Sequence, residues 1–242
     1  MNTVITRGLT KKYKDVVAVD QLDLTIYKGE LFSLLGVNGA GKTTAIKMLS
    51  CLTQPTAGDA LIYGKSIRQE SAAVKAMIAV SPQETAIAQG LSVKENLELM
   101  CGVYGFSKEQ RVRKINDAVH RLGLQQVCNK KAGKLSGGWQ RRLSIAMALI
   151  GDPQILFLDE PTLGLDVLAR SELWELIRTL KTSMTIILTT HYMEEAQALS
   201  DRVGIMSHGK LLCCDTVENI KAQTGASSLE QAFIQIVQEV EK

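Results

Sequence analysis

Polar and apolar residues largely alternate over residues 19–26, and a mostly apolar segment, 31–35, follows directly. The alternation is typical of an antiparallel strand with one solvated face, whereas continuous apolar runs are typical of parallel strands covered on both faces. Further apolar runs predict strands at 59–63, 77–80, 155–158, 185–188 and 203–206. The pattern therefore predicts an N-terminal antiparallel β subdomain joined to an α/β core with a mainly parallel sheet.

The pattern becomes helical between residues 92 and 134. Ser92-x-x-Glu95 and Ser107-x-x-Gln110 are capping-box sequences that predict the first turns of two helices, and Gly123 predicts the end of the second. The buried face of that second helix is predicted to consist of Val112, Ile115, Ala118, Val119 and Leu122. We expect an inserted helical subdomain at about 84–150, within a single domain that spans residues 1–242.

Two features are predicted near the carboxyl end. Ser207-His208-Gly209-Lys210 separates two apolar runs and predicts a hairpin turn in which Gly209 takes the unusual backbone angle. Ser227-x-x-Glu230 predicts a last amphipathic helix, whose apolar face would consist of Leu229, Phe233, Ile236, Val237 and Val240. We expect a C-terminal helical extension at about 215–242 that packs on the core, with contact to a partner as the alternative.

Composition narrows the functional classes. There are 28 Lys and Arg residues against 25 Asp and Glu residues, a net charge of +3 without a basic stripe, so no nucleic-acid partner is expected. No apolar run approaches the roughly 20 residues that span a bilayer, and residues 1–14 resemble neither a signal peptide nor an anchor. The five cysteines show no C-x-x-C spacing, which favours reduced thiols. We expect a cytosolic protein that reaches a membrane only through a partner.

A phosphate-binding loop is predicted at residues 36–43, Gly-Val-Asn-Gly-Ala-Gly-Lys-Thr, because they match G-x-x-x-x-G-K-[ST] between an apolar strand and a helical pattern. Backbone N–H groups of such a loop, and the positive end of the helix dipole, point at phosphates. Lys42 adds a charge, and Thr43 offers a hydroxyl to Mg²⁺. The predicted nucleotide contacts are Gly36, Asn38, Gly39, Ala40, Gly41, Lys42, Thr43 and Thr44. The alternative is a purely structural glycine turn.

Two carboxylates, Asp159 and Glu160, end the apolar run at 155–158. Carboxylates at the carboxyl edge of a parallel sheet belong at its ligand crevice. We expect Asp159 to hold Mg²⁺ directly or through water. Strand alternation would turn Glu160 in another direction, where it is the candidate general base for an attacking water. The alternative is that both residues merely open the next helix.

Leu135-Ser136-Gly137-Gly138 precedes a predicted helix at 139–150 and forms a second helix terminus suited to an anion. This motif, placed between the phosphate loop and Asp159, resembles the L-S-G-G signature of the ABC ATPase family. The resemblance covers essentially the whole chain and implies a P-loop NTPase core that hydrolyses ATP with Mg²⁺. It also implies that Ser136, Gly137 and Gly138 of one subunit cover the γ-phosphate bound to the other.

The same resemblance assigns four further side chains. Tyr13 is similar to the aromatic residue that stacks on adenine, and Gln83 to the Q-loop residue that touches Mg²⁺ and the connection to the helical lobe. Asp166, in Gly164-Leu165-Asp166, is similar to the D-loop aspartate. His191 is similar to the switch histidine, which reaches the γ-phosphate.

Two positions depart from the family pattern, with Trp139 where many members have Gln and Leu163 where many have Ser. Neither change removes a phosphate donor, although the second puts the D-loop contact across a dimer in doubt. The stretches 140–146 and 228–233 look most like the drug and antibiotic export branch.

The resemblance therefore implies an ATPase subunit on the cytoplasmic side of the cell membrane that powers export through separate integral membrane permease subunits. Two copies, or one copy and a related ATPase, would close head to tail over two ATP molecules. The alternatives are the energising subunit of an importer, a non-transport ABC ATPase acting on ribosomes or DNA, and a nucleotide sensor that binds ATP without turnover.

Overall fold

Eleven strands and nine α-helices are formed by residues 1–240, the part of the chain that the computed structural model describes. The strands are β1 (Asn2–Tyr13), β2 (Val16–Leu22), β3 (Thr25–Tyr27), β4 (Leu31–Leu35), β5 (Ala57–Ile62), β6 (Lys65–Ser66), β7 (Ile78–Ser81), β8 (Ile155–Asp159), β9 (Thr185–Thr190), β10 (Arg202–Ser207) and β11 (Lys210–Asp215). The helices are α1 (Lys42–Leu49), α2 (Ser71–Lys75), α3 (Val93–Val103), α4 (Lys108–Arg121), α5 (Gly137–Leu149), α6 (Val167–Lys181), α7 (Met193–Leu199), α8 (Val217–Thr224) and α9 (Leu229–Val240).

The strands form two sheets. In the first, β1 pairs antiparallel with β2, β3 and β5, and β6 extends β5. The second sheet has the order β11-β10-β4-β9-β8-β7, in which every pair is parallel except the edge pair β10–β11. An antiparallel β subdomain beside a mainly parallel sheet is the predicted fold class.

The central strands of the parallel sheet are covered on both faces. All residues of β4, β8 and β9 are buried. Within β8, Leu156 and Leu158 pack with α3–α6, whereas Ile155 and Phe157 pack with β1, β2 and α1. The helical lobe and the antiparallel sheet therefore enclose opposite faces of one sheet, which explains the continuous apolar runs.

The first strand was missed by the sequence pattern. β1 has fully buried Val4 and Leu9, but its pairing with β5 shifts register between Arg7 and Thr10, and Gly8 has a φ of 54°. A shift in register changes which residues face inward, so the period of two is interrupted. Thr6 is also buried, with its hydroxyl donating to the Leu22 carbonyl at 2.7 Å. The register shift and the buried polar residue therefore explain why the sequence pattern did not predict this strand.

Both predicted capping boxes are present at the starts of α3 and α4. Gly123, just beyond α4, has a φ of 65°, as a helix-ending glycine requires. The predicted apolar face of α4 is buried except at Val112, where the prediction is wrong: this side chain is 54% exposed. Its neighbours across the α3–α4 groove include Lys94 and Glu98, whose polar chains do not cover it. The boundaries of the helical subdomain stay a prediction.

The hairpin at residues 207–210 is confirmed, with one difference. His208 and Gly209 have φ values of 47° and 80°, so both central residues, and not Gly209 alone, take positive angles. This is the turn whose twist matches a two-residue hairpin. Ser207 pairs with Lys210 at the ends of β10 and β11.

The last helix packs on the core, as expected. Leu229 and Phe233 of α9 are buried in a cluster with Leu35 and Val203, and Ile236 and Val237 are partly buried against it. The helix cap lies one residue later than predicted, because Ser228 Oγ accepts from the Gln231 N–H at 3.2 Å, and the Gln231 side chain accepts from the N–H of Ser227 rather than from that of Ser228. The side chain of Val240 lies outside the described part of the chain. Among residues 1–240, no helix has the length and apolarity needed to cross a membrane.

Candidate functional site

The predicted phosphate loop connects β4 to α1 and depends on glycine. Gly41 has a φ of 103°, and a Cβ atom there would lie 2.3 Å from the Ala18 carbonyl oxygen. A Cβ atom at Gly36 would lie 2.4 Å from the Met206 carbonyl oxygen. The backbones of β2 and β10 therefore pack so closely on the loop that no larger residue fits at these two positions.

The loop borders a cavity of about 430 Å³, which is lined by Ala18, Asn38, Gly39, Ala40, Gly41, Lys42, Thr43, Thr44, Gln83, Glu160, Leu163 and His191. No described side chain caps the amino end of α1, and its first turn has no acidic residue. The free N–H groups and the helix dipole at this end suit a phosphate group.

Lys42 is buried at the floor of the loop. Its Nζ donates to the carbonyls of Gly36 at 2.7 Å and Val37 at 3.1 Å, and lies 3.3 Å from Glu160 Oε1. The ammonium group is therefore held beside the cavity by the loop, with a carboxylate balancing its charge.

The predicted metal-binding oxygens lie together. Thr43 Oγ1 donates to Asp159 Oδ1 at 3.1 Å, and Thr189 Oγ1 donates to the same oxygen at 2.5 Å. Gln83 is exposed and lines the same cavity. A hydroxyl that lines the cavity and a carboxylate hydrogen-bonded to it fit Mg²⁺, which takes few protein ligands besides phosphate and water.

Glu160 contradicts the alternation expected from the strand. β8 ends at Asp159, and Glu160 takes a left-handed backbone conformation with a φ of 49°. Its carboxylate thereby turns back to the loop, where Oε1 contacts Lys42 and Oε2 contacts His191 Nδ1 at 2.5 Å. The alternative that Asp159 and Glu160 open the next helix is also wrong, because α6 begins only at Val167.

The signature motif lies apart from this cavity. Ser136 is the N-cap residue of α5, which starts at Gly137 rather than at the predicted Trp139. Ser136 and Gly137 are exposed, and within residues 1–240 the Ser136 side chain makes no capping hydrogen bond. Gly138 packs against the next helix, where an added Cβ would lie 3.1 Å from the Ala169 side chain. A helix start and hydroxyl therefore face solvent, away from their own phosphate loop.

Four other predicted residues are likewise outside the cavity lining: Gly36 and Asp159, described above, and Tyr13 and Asp166. Tyr13 is 45% exposed at the end of β1, with Lys11 Nζ 4.9 Å from its ring centroid. Asp166 is exposed and caps α6 by accepting from the Ala169 N–H at 2.9 Å. Their predicted nucleotide roles stay predictions.

Sequence reasoning missed Thr189 and Arg141. The Arg141 guanidinium, 4% exposed, donates to the carbonyls of Pro82 at 2.6 Å, Gln83 at 2.7 Å and Glu160 at 3.3 Å. Burial lowers the pKa of Arg141, and the negative charge of Asp159 partly opposes this effect. A single arginine of α5 thus fixes the backbone on both sides of the site. Its one signal in the sequence is a cation on the otherwise apolar face of a helix.

The two departures from the family pattern have distinct surroundings. The Trp139 ring lies 4.9 Å from the guanidinium of Arg142, which pairs with Glu172. Leu163 lines the cavity. Trp139 therefore packs on its own helix, whereas Leu163 contributes an apolar surface beside the loop.

The sequence profile described as ABC transporter matches residues 19–163. The chain is 37% identical over 247 residues to the probable multidrug ABC transporter ATP-binding protein YbhF of Escherichia coli, covering 99% of this chain and 43% of that protein. It is 38% identical over 230 residues to the doxorubicin resistance ATP-binding protein DrrA of Mycobacterium tuberculosis, covering 94% of this chain and 70% of DrrA. The chain thus spans less than half the length of the first relative.

Two solved structures share the fold over most of their length. An ATP-binding subunit of an ABC transporter has a TM-score of 0.85 and 26% identity, covering 97% of this chain and 99% of its own. The ATP-binding cassette MJ0796, solved as a dimer in a post-hydrolysis state with ADP and Pi, has a TM-score of 0.78 and 26% identity, covering 88% and 98%.

Proposed function

Because this chain belongs to the ABC transporter family as an ATP-binding ATPase domain, we propose that it powers the export of drug-like small molecules through separate membrane permease subunits. The predicted family, fold class and enzyme class are confirmed. The names of two bacterial relatives, a probable multidrug transporter protein and a doxorubicin resistance protein, support export and the type of cargo.

The contact of Glu160 with both Lys42 and His191 carries the proposed chemistry. Lys42 exchanges the loop carbonyls for phosphate oxygens of ATP, since its Nζ already lies at the cavity floor. Glu160, freed from Lys42, accepts a proton from the attacking water. His191 orients that carboxylate through Nδ1 and turns its other ring edge toward the γ-phosphate.

Thr43, Asp159 and Gln83 are the residues that would hold Mg²⁺, which when bound neutralises charge on the phosphate oxygens. Asp159 accepts hydrogen bonds from the hydroxyls of Thr43 and Thr189, which fix its carboxylate beside Thr43. The loop residues Gly36, Asn38, Gly39, Ala40, Gly41 and Thr44 supply backbone contacts to the phosphates.

Ser136, Gly137, Gly138 and Asp166 act in this proposal on the nucleotide of a second subunit. The amino end of α5 is exposed and outside its own cavity, so its free N–H groups and hydroxyl suit a phosphate presented by a neighbour. The dimeric MJ0796 structure with ADP and Pi supports the formation of a dimer. The partner subunit is a second copy of this chain or a related ATPase. In the same proposal, Tyr13 stacks on the adenine of ATP.

Replacement of Glu160 by Gln tests both the proposed hydrolysis of ATP and the proposed dimerisation. The variant should hydrolyse ATP at least about a hundredfold more slowly, as expected for loss of a general base. It should also accumulate as a dimer in ATP, measured by light scattering, because it binds nucleotide without releasing phosphate. Lys42→Ala should abolish both ATP binding and dimerisation, whereas Lys47→Ala, on the same helix, is the matched control. A Glu160→Gln protein that stays monomeric at every ATP and protein concentration would refute the dimer.

Attachment to permease subunits places the chain at the cytoplasmic side of the cell membrane. Co-purification from detergent-solubilised membranes, followed by identification of the associated proteins, tests this placement. Recovery of an integral membrane permease is expected. Recovery of ribosomes or DNA instead would favour the non-transport alternative, and ATP-driven uptake by the reconstituted complex would favour an importer.

A further inference from the structure

A fully buried carboxyl group lies behind the reaction site, on α7. Glu195 is 0% exposed, and its Oε1 accepts a hydrogen bond from the Trp174 indole N–H of α6 at 3.1 Å. The hydroxyls of Thr162 and Thr190 lie beside the same carboxyl. Thr190 directly precedes His191, and Thr162 lies in the turn between β8 and α6. Glu195 is therefore packed between the two segments that leave the carboxyl ends of β8 and β9.

Two buried polar atoms of this cluster bear on its protonation state. Within residues 1–240, Glu195 Oε2 and Thr162 Oγ1 are among the four buried side-chain polar atoms that lack a well-aligned hydrogen-bond partner. Buried polar atoms of native proteins are nearly always paired. An ionised carboxylate only accepts hydrogen bonds, whereas a neutral carboxyl has an O–H to donate. The Trp174 N–H is the one well-aligned donor to this carboxyl among the described residues, so an ionised Glu195 would leave Oε2 without the hydrogen bonds that a buried negative charge requires.

The charge balance of the site also favours a neutral group. Two buried cations, Lys42 and Arg141, balance two buried carboxylates, Asp159 and Glu160. An ionised Glu195 would add a third buried negative charge, and charges buried without a partner are strongly disfavoured.

The charged groups around α7 do not supply that partner. Glu160 repels an ionised Glu195, and the Arg141 guanidinium, which attracts it, also serves Asp159 and donates to three carbonyls. On α6, Arg170 pairs at 3.7 Å with the exposed Glu194 of α7. Burial raises the pKa of Glu195, and the nearby hydroxyls of Thr190 and Thr162 and the Trp174 N–H only partly oppose this effect.

We propose that Glu195 is a positioning residue that acts in its protonated form, joining the Thr190–His191 segment to the turn at Thr162 so that His191 stays against Glu160. This inference rests on the proposed ATPase function and adds a regulatory element to the same site. Loss of the proton would separate the two segments, because the carboxylate would repel Glu160 and attract water.

The test compares Glu195→Gln and Glu195→Leu, with Glu194→Gln as the matched control on the neighbouring, exposed carboxyl. The amide of Gln reproduces a neutral carboxyl, so Glu195→Gln should retain kcat within about twofold at neutral pH. Glu195→Leu removes the hydrogen bonds and should lower kcat about tenfold or more with an unchanged KM for ATP. Above the pKa of Glu195, wild type and Glu194→Gln should lose kcat by about tenfold per pH unit, and Glu195→Gln should lack this decline.

Three outcomes would overturn the proposal: a Glu195→Gln protein as inactive as Glu195→Leu, a Glu195→Leu protein with wild-type kcat, or coinciding alkaline limbs for wild type and both Gln variants. If Glu195→Leu does not fold, the pH profiles of the Gln variants decide. Infrared spectra at neutral pH give a second readout when the spectrum of each Gln variant is subtracted from that of wild type. The band of a neutral carboxyl in wild type should be absent from Glu195→Gln and present in Glu194→Gln. Failure of the purified wild type to hydrolyse ATP would instead count against the proposed function and leave the infrared test valid.

Discussion

Arg141→Ala should separate the two sides of the ATP site. The Arg141 guanidinium connects α5 to the carbonyls of Pro82, Gln83 and Glu160. Alanine at this position removes all three bonds and leaves the buried Asp159 with less compensating positive charge. The backbone at Gln83 and Glu160, which presents the metal contact and the general base, would lose its shared anchor.

The size of the effect follows from the contacts. The two short bonds, at 2.6 and 2.7 Å, have a charged donor and are worth about 1.5 kcal/mol each at the low end of such bonds, which suits carbonyls on a partly exposed loop. The 3.3 Å bond adds less. We expect a loss of about 3 kcal/mol in unfolding free energy, or roughly 6–12 °C in Tm for a domain of this size.

Arg142→Ala is the matched control, because it removes the neighbouring arginine of the same helix. Arg142 stacks on Trp139 and pairs with Glu172, whose side chain is largely exposed, so its loss should cost about 1 kcal/mol. Urea unfolding and steady-state ATPase assays on both variants measure the difference. Equal losses of stability, or an unchanged kcat in Arg141→Ala, would refute the anchoring role.

Three further outcomes are expected. Gly41→Ala should destabilise the fold by about 2 kcal/mol or more and abolish ATP binding, because the left-handed backbone and the Ala18 carbonyl exclude a Cβ atom. Gly90→Ala is the control, because Gly90 has open space around it. Thermal unfolding and nucleotide titration should show little change in this control. Ser92→Ala should cost about 1 kcal/mol in urea unfolding by removing the capping box of α3, and an unchanged midpoint would contradict that role. The pKa of Glu195 is raised in the folded protein, so the stability of wild type should depend on pH in a way that the stability of Glu195→Gln does not. Between the ordinary pKa of 4.5 and the pKa in the folded protein, the unfolding free energy of wild type should fall relative to that of Glu195→Gln by about 1.4 kcal/mol per pH unit. Parallel pH–stability curves would contradict a neutral Glu195.

The parts predictable from sequence are those whose chemistry lies in neighbouring residues. The phosphate loop, the Asp159-Glu160 pair and the two capping boxes each occupy a few consecutive positions, so spacing alone identifies them. The parallel sheet was predictable for a similar reason, because burial on both faces leaves continuous apolar runs.

The remaining features depend on contacts distant in sequence. Arg141 bonds to Pro82, 59 residues away, and Thr189 bonds to Asp159, 30 residues away. The sequence pattern did not predict β1, because shifts in register interrupt its alternation. Val112 was wrongly predicted to be buried, because helical spacing shows which residues share a face but not how far the neighbouring helix covers that face. The direction of Glu160 depended on where β8 ends, and strand ends are poorly fixed by pattern.

The backbone of Glu160 has a consequence for how this protein responds to laboratory evolution. A left-handed conformation at a residue with a full side chain costs about 1–2 kcal/mol, and glycine avoids that cost. A screen that rewards heat resistance alone should therefore enrich glycine at this position and yield robust but inert proteins. Glycine at position 160 would relieve the backbone strain but remove the general base. Selection for stability must therefore include selection for ATP hydrolysis in the same round.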